Sequence, residues 1–141
     1  MTTVFSKLNL KDQETVVVIN SPESFEDELR QLRGVKIVRD MQGSKSVEFA
    51  IVFVTQRKEV ERAARDLIKR SVDDAVLWFA YPKGTSKNLE SEVNRDTGWE
   101  VLRSAGYDSV RLVAIDADWS ALRFRRKAYI GGSRPRSTGR S

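Results

Sequence analysis

Residues 75–81, AVLWFAY, are seven consecutive apolar positions that end at Pro82 and the polar loop KGTSK. Seven is far short of the ~18 residues that cross a bilayer as a helix, so the run reads as a buried strand closed by a proline. A strand hidden on both faces belongs in a sheet with helices on either side. In such sheets ligands bind beyond the carboxyl ends of the strands, which directs attention to Tyr81 and the loop after it.

The rest of the chain supplies the helices and partner strands. Residues 15–19, TVVVI, form a β-branched run, after which Ser21 and Pro22 start a helix that carries Phe25, Leu29 and Leu32 inward and stops at Gly34. Residues 35–39 alternate as a second strand, a turn follows at Gln42–Lys45, and 47–55 read as a third, buried strand. Val60, Ala63, Ala64, Leu67 and Ile68 lie on one helical face, with Glu61–Arg65 and Arg62–Asp66 as outer pairs four residues apart. Beyond the KGTSK loop, Asn94 is placed to cap a third helix bearing Trp99 and Leu102, and Gly106 to end it. Residues 109–115 form a fifth strand. Asp116–Asp118 make a turn, and Leu122 and Phe124 alternate with Arg123 and Arg125 in a last strand antiparallel to the fifth. The order β-α-β-β-α-β-α-β-β predicts an α/β fold, a Rossmann-like, mostly parallel open sheet with helices on both faces. Residues 1–126 are expected to be one domain and 127–141 a basic, disordered tail.

Composition then limits the chemistry. The chain has no cysteine and no histidine, which removes thiol nucleophiles, imidazole bases and the commonest metal ligands. No metal and no membrane span is expected, and the amino terminus lacks a secretory core, so the expected location is cytoplasmic. The net charge of +5 is local: residues 123–141 hold seven cations and no acid, whereas residues 1–122 carry 18 basic and 20 acidic side chains.

The combination of LWFAYPKGTSK, NRDTGW at 94–99 and VAIDADWSALRF at 113–124 resembles a group of small bacterial proteins known as a domain of unknown function. That resemblance implies an organisation and no activity. The sequence of strand, helix, strand, helix and terminal hairpin is also similar to the carboxyl-terminal half of Rossmann-like methyltransferases, which implies S-adenosylmethionine as methyl donor. Such an enzyme needs a glycine-rich turn after its first strand, and Ile19-Asn20-Ser21-Pro22-Glu23 contains no glycine and puts an acid at the helix start. No cofactor is therefore expected, and a binding or interaction module is the leading reading, with a small S-adenosylmethionine-type transferase as an alternative.

Its candidate site is the crevice at the end of strand 75–81, where Tyr81, Lys83, Gly84, Thr85, Ser86 and Lys87, with Arg95 and Trp119, would bind a small anionic ligand or a protein segment. The same loop also reads as a solvated surface turn, and Trp119 as core. Asp116 and Asp118 are spaced like a metal-binding pair but sit between strands, as turn residues do. A nucleic-acid alternative rests on Arg123, Arg125, Arg126, Lys127, Arg134, Arg136 and Arg140, which alternate with aromatic residues in FRRKAY.

Overall fold

A computed structural model describes residues 4–40, 42, 46–84 and 90–130. In chain order the elements are α1 (Val4–Lys7), β1 (Thr15–Ile19), α2 (Glu23–Arg30), β2 (Lys36–Val38), β3 (Val47–Phe53), α3 (Arg57–Arg70), β4 (Ser71–Pro82), α4 (Glu100–Ser104), β5 (Tyr107–Ala114) and β6 (Trp119–Arg126). The strands form one six-stranded sheet in the order β2-β1-β3-β4-β6-β5. β2, β1, β3 and β4 are mutually parallel, and β6 runs antiparallel between β4 and β5. The α/β, Rossmann-like architecture with an antiparallel carboxyl-terminal strand is thus the observed one.

Alternation along the strands divides the core in two. Val16, Val18, Phe49, Ile51, Phe53, Trp78 and Ala80 face α1 and α2, where Phe5, Leu8, Phe25 and Leu29 cover them. Val17, Ala50, Val52, Leu77, Phe79, Leu122 and Phe124 face α3 and α4, beneath Val60, Ala64, Leu67, Trp99 and Leu102. Phe79, Trp99 and Phe124 pack with ring centroids 5.1 to 5.8 Å apart in tilted and edge-on contacts. Residues 75–81 of β4 are therefore apolar at every position because a helix layer lies on each side.

Several boundaries differ from the sequence reading, α2 among them: Pro22 rather than Ser21 is its N-cap, and it ends at Arg30, before Leu32 and Gly34. Val4–Lys7 is helical, and Leu8 accepts a hydrogen bond from the buried Trp78 Nε1 at 2.8 Å, a contact spanning the chain that no local pattern signals. The buried strand begins at Ser71 rather than Ala75. Asn94 does not cap the third helix. Its side chain accepts from the Asp96 N–H at 2.8 Å, its carbonyl accepts from Trp99 Nε1 at 2.8 Å, and Gly98 takes φ +107°, so a turn fills 94–98 and the helix starts at Glu100. Of the tail expected over 127–141, Lys127–Tyr129 form a short 3-10 turn, and residues 131–141, with Arg134, Arg136 and Arg140, lie outside the described residues.

Candidate functional site

β1 leads through α2 to β2 on one side, whereas β3 pairs with the other side of β1. The direction of travel across the sheet reverses there, and a crevice must open beyond the carboxyl ends because the loops from β1 and β3 leave in opposite directions. A cleft of about 590 Å³ occupies this point. Ile19, Val52 and Ala63 give it an apolar floor, and Asn20, Arg39, Asp40, Glu59, Arg62 and Asp66 give it a polar rim. Asn20 leaves β1 at φ +59°, the left-handed conformation that a glycine usually supplies and asparagine tolerates. Asp40 follows twenty residues later at the end of β2, the spacing at which an acid meets a ribose in nucleotide folds.

The electrostatics of the rim select against phosphate. Both helices that start at this edge have carboxylates at their amino ends. α2 carries Glu23 and Glu26 in its first turn. At α3, Glu59 accepts from the Thr55 and Gln56 N–H groups at 2.9 and 3.0 Å in a capping box, and Glu92 accepts from the Arg57 N–H at 3.0 Å. The positive helix ends that would hold a pyrophosphate are already matched. Arg39 is also committed: its guanidinium grips both Glu26 oxygens at 2.8 Å, while the Ser21 hydroxyl donates to Glu26 at 2.5 Å. The Arg39 and Ser21 hydrogen bonds hold the Glu26 carboxyl down at about 2. This clasp ties the turn after β1 to the end of β2, where Arg39 lines the cleft.

A second crevice, of about 450 Å³, opens at the end of β4. It is lined by Tyr81, Lys83, Gly84, Asn94, Arg95, Asp96 and Ser120, so the structure brings four of the residues singled out from the sequence to one place. Thr85, Ser86 and Lys87 lie outside the described residues. Arg95 is mostly exposed and its Nε sits 3.4 Å from Asp96, so the anion-binding charge there is partly offset. Burial raises the Tyr81 hydroxyl above its ordinary value, which keeps it a neutral donor. Trp119 does not join the crevice. It is 8% exposed and packs edge-on against Phe53 at 5.2 Å, as cover for the α2 side of the sheet.

Asp116 is occupied by its own turn, accepting from the Asp118 and Trp119 N–H groups at 2.8 and 2.9 Å. Among the described residues there is no group of three or more His, Cys, Asp or Glu that could hold a metal, and no helix is long and apolar enough to cross a membrane. Of the basic residues in the nucleic-acid alternative, Arg125 is paired with Asp74 and Arg126 donates to the Tyr107 hydroxyl at 3.1 Å. The sequence reading passed over the switch-point cleft. Its signal was present in Asn20 and Asp40, but the missing glycines drew attention away.

No family model and no curated protein matches the chain, so the likeness to a domain of unknown function is unsupported. The fold is similar to solved structures. A SAM dependent methyltransferase from Aquifex aeolicus shares 15% identity over 86% of each chain, with a TM-score of 0.56. The ribosomal protein L11 methylase of Lactobacillus delbrueckii subsp. bulgaricus shares 10% identity over 88% of this chain and 76% of that one, at 0.55. The fibrillarin pre-rRNA processing protein of Methanococcus jannaschii shares 11% over 83% and 68%, at 0.53. At such identities the likeness is one of fold.

Proposed function

We propose that the switch-point cleft binds S-adenosylmethionine and that the chain is a small methyltransferase, in place of the cofactor-free module expected from its glycine-poor turn. The observation that carries this reading is the cleft itself, with Asn20 in the left-handed conformation at one end and Asp40 at the other. The residues present fit an adenosyl group: Ile19, Val52 and Ala63 offer apolar surface to a base, and the Asp40 carboxylate can accept hydrogen bonds from ribose hydroxyls. The carboxylates at both helix starts disfavour a dinucleotide and leave a cationic, phosphate-free nucleoside as the matching chemistry. The fold's solved neighbours, which include a SAM dependent methyltransferase, support the same ligand.

When bound, S-adenosylmethionine supplies an electrophilic methyl group on a sulfonium. The chain's own part is to orient and to exclude water, and with no imidazole or thiol any proton transfer would fall to a carboxylate, lysine or tyrosine. The crevice at the end of β4 lies on the same sheet edge, two strands from β1, and Lys83 and Arg95 would hold an acidic acceptor there. Calorimetric titration with S-adenosylmethionine tests the reading. Saturable binding to the natural chain is expected, and Asp40→Ala should weaken it by about 2 kcal/mol, roughly thirtyfold in Kd. Equal binding by both proteins, or none at millimolar ligand, would overturn it.

A further inference from the structure

The face of the sheet beneath α1 and α2 changes character at its β5–β6 side. Trp119 and Ala121 on β6 and Val113 on β5 belong to the apolar core of that face. Strand alternation places Arg123 and Arg125 of β6, and Arg111 of β5, on the same face. The register sets Arg111 directly opposite Arg123. Side chains so placed have Cβ atoms ~5 Å apart, and two like charges there repel.

The acids nearby do not resolve the repulsion. Asp74 is taken by Arg125, whose Nε and Nη2 donate to its two oxygens at 2.8 and 2.7 Å. Asp108, opposite Arg125, accepts from the Ser109 N–H at 2.9 Å and faces Arg103 at 3.8 Å. Neither Arg111 nor Arg123 forms an ion pair among the described residues. Arg123 Nε is buried and has no hydrogen-bond partner among the described residues. A buried N–H without an acceptor is rare and calls for an explanation, and a missing ligand is one. Part of the burial is structural: Arg123 pairs across the strands with the fully buried Trp78, so its stem serves as cover for the ring. That accounts for the stem and leaves the buried Nε–H without an acceptor beside the exposed Arg111. Burial first, then Arg125 and Arg111, lower the affinity of Arg123 for its proton, and the Asp74 carboxylate offsets this only in part.

We infer that Arg111 and Arg123 form a phosphate-binding site, with Arg125 fixed beside them by Asp74. An oxyanion between the two guanidiniums gives Arg123 Nε its acceptor and turns the cross-strand repulsion into a shared attraction, and planar arginine forks match phosphate oxygens. The phosphate belongs either to a small phosphorylated molecule or to the backbone of a nucleic acid, toward which the sequence from Arg126 to Ser141, with five cations and no acid, adds charge.

The test uses the full chain in chloride buffer with two probes, inorganic phosphate and a ten-residue oligouridylate, read by the Arg123 Nε–H resonance and by thermal melting. One or both probes are expected to shift that resonance and raise Tm. Arg111→Ala, which removes the repulsion, should melt no lower than the natural chain without probe. It should bind roughly tenfold more weakly, the loss of one charge-assisted contact. Arg123→Met keeps cover over Trp78 and should lose the probe-induced rise in Tm. A response at lower concentration to oligouridylate than to phosphate assigns the site to nucleic acid, and the reverse to a small phosphorylated ligand. An Arg123 resonance unmoved by either probe, or moved equally in Arg111→Ala, overturns the site.

Discussion

Three residues around the turn after β1 decide what the cleft can accept. Asn20 adopts a backbone conformation that glycine would take more readily, so the turn closes without the glycine signature. Glu26 and Arg39 then hold it in place. Glu26 sits at about 2 when folded, against an ordinary value of 4.5, because Arg39 and Ser21 bond its charged form. A depressed carboxyl stabilises the fold fully above the unfolded value, so this contribution should fade as pH falls from 4.5 toward 2. Urea unfolding across that range should show the loss, and Glu26→Gln should flatten it. Gly98 offers a sharper case: at φ +107° an added Cβ would stand 2.5 Å from Val93 Cγ1. Gly98→Ala should therefore destabilise by about 2 kcal/mol or more, measured by denaturant midpoint. The sequence showed a glycine between Thr97 and Trp99, but not that Val93 would lie against it.

Among the elements, legibility followed length and period. α3 was readable because five apolar side chains repeat on one face, and the structure buries four of them, Val60, Ala63, Ala64 and Leu67. α1, four residues long, has no period to read and owes its place to contacts with distant Phe25 and Phe49. α4 was expected five residues too early, with its cap at Asn94 instead of Trp99, because Asn94 has the right chemistry for a cap, and the side chain spends that chemistry on a local turn. Trp99 is what anchors the short α4. It is fully buried between Phe79, Tyr81 and Phe124, and its indole N–H bonds back to Asn94 and Arg95. Trp99→Ala should cost about 3–5 kcal/mol and loosen the crevice wall formed by Asn94, Arg95 and Asp96, visible as faster amide exchange over 94–104.

At the scale of the whole molecule, the alternation of strands and helices identified the class, while the order in which strands lie side by side was not written in any local pattern. That order places β1 between β2 and β3 and so creates the cleft. The strand-end loop after Tyr81 was found first because its strand is the most apolar. The cleft two strands away is larger, and its Asp40 and Asn20 converge only once β1 and β2 pair. Along the carboxyl ends of its strands the sheet carries the switch-point cleft and the crevice after β4, and on one face an arginine pair. Mapping amide chemical shifts on titration with S-adenosylmethionine tests the central claim most directly. Shifts should cluster at Ile19, Asn20, Asp40, Val52 and Ala63. Shifts confined to Lys83, Arg95 and their neighbours, or none at millimolar ligand, would contradict the assignment of the cleft.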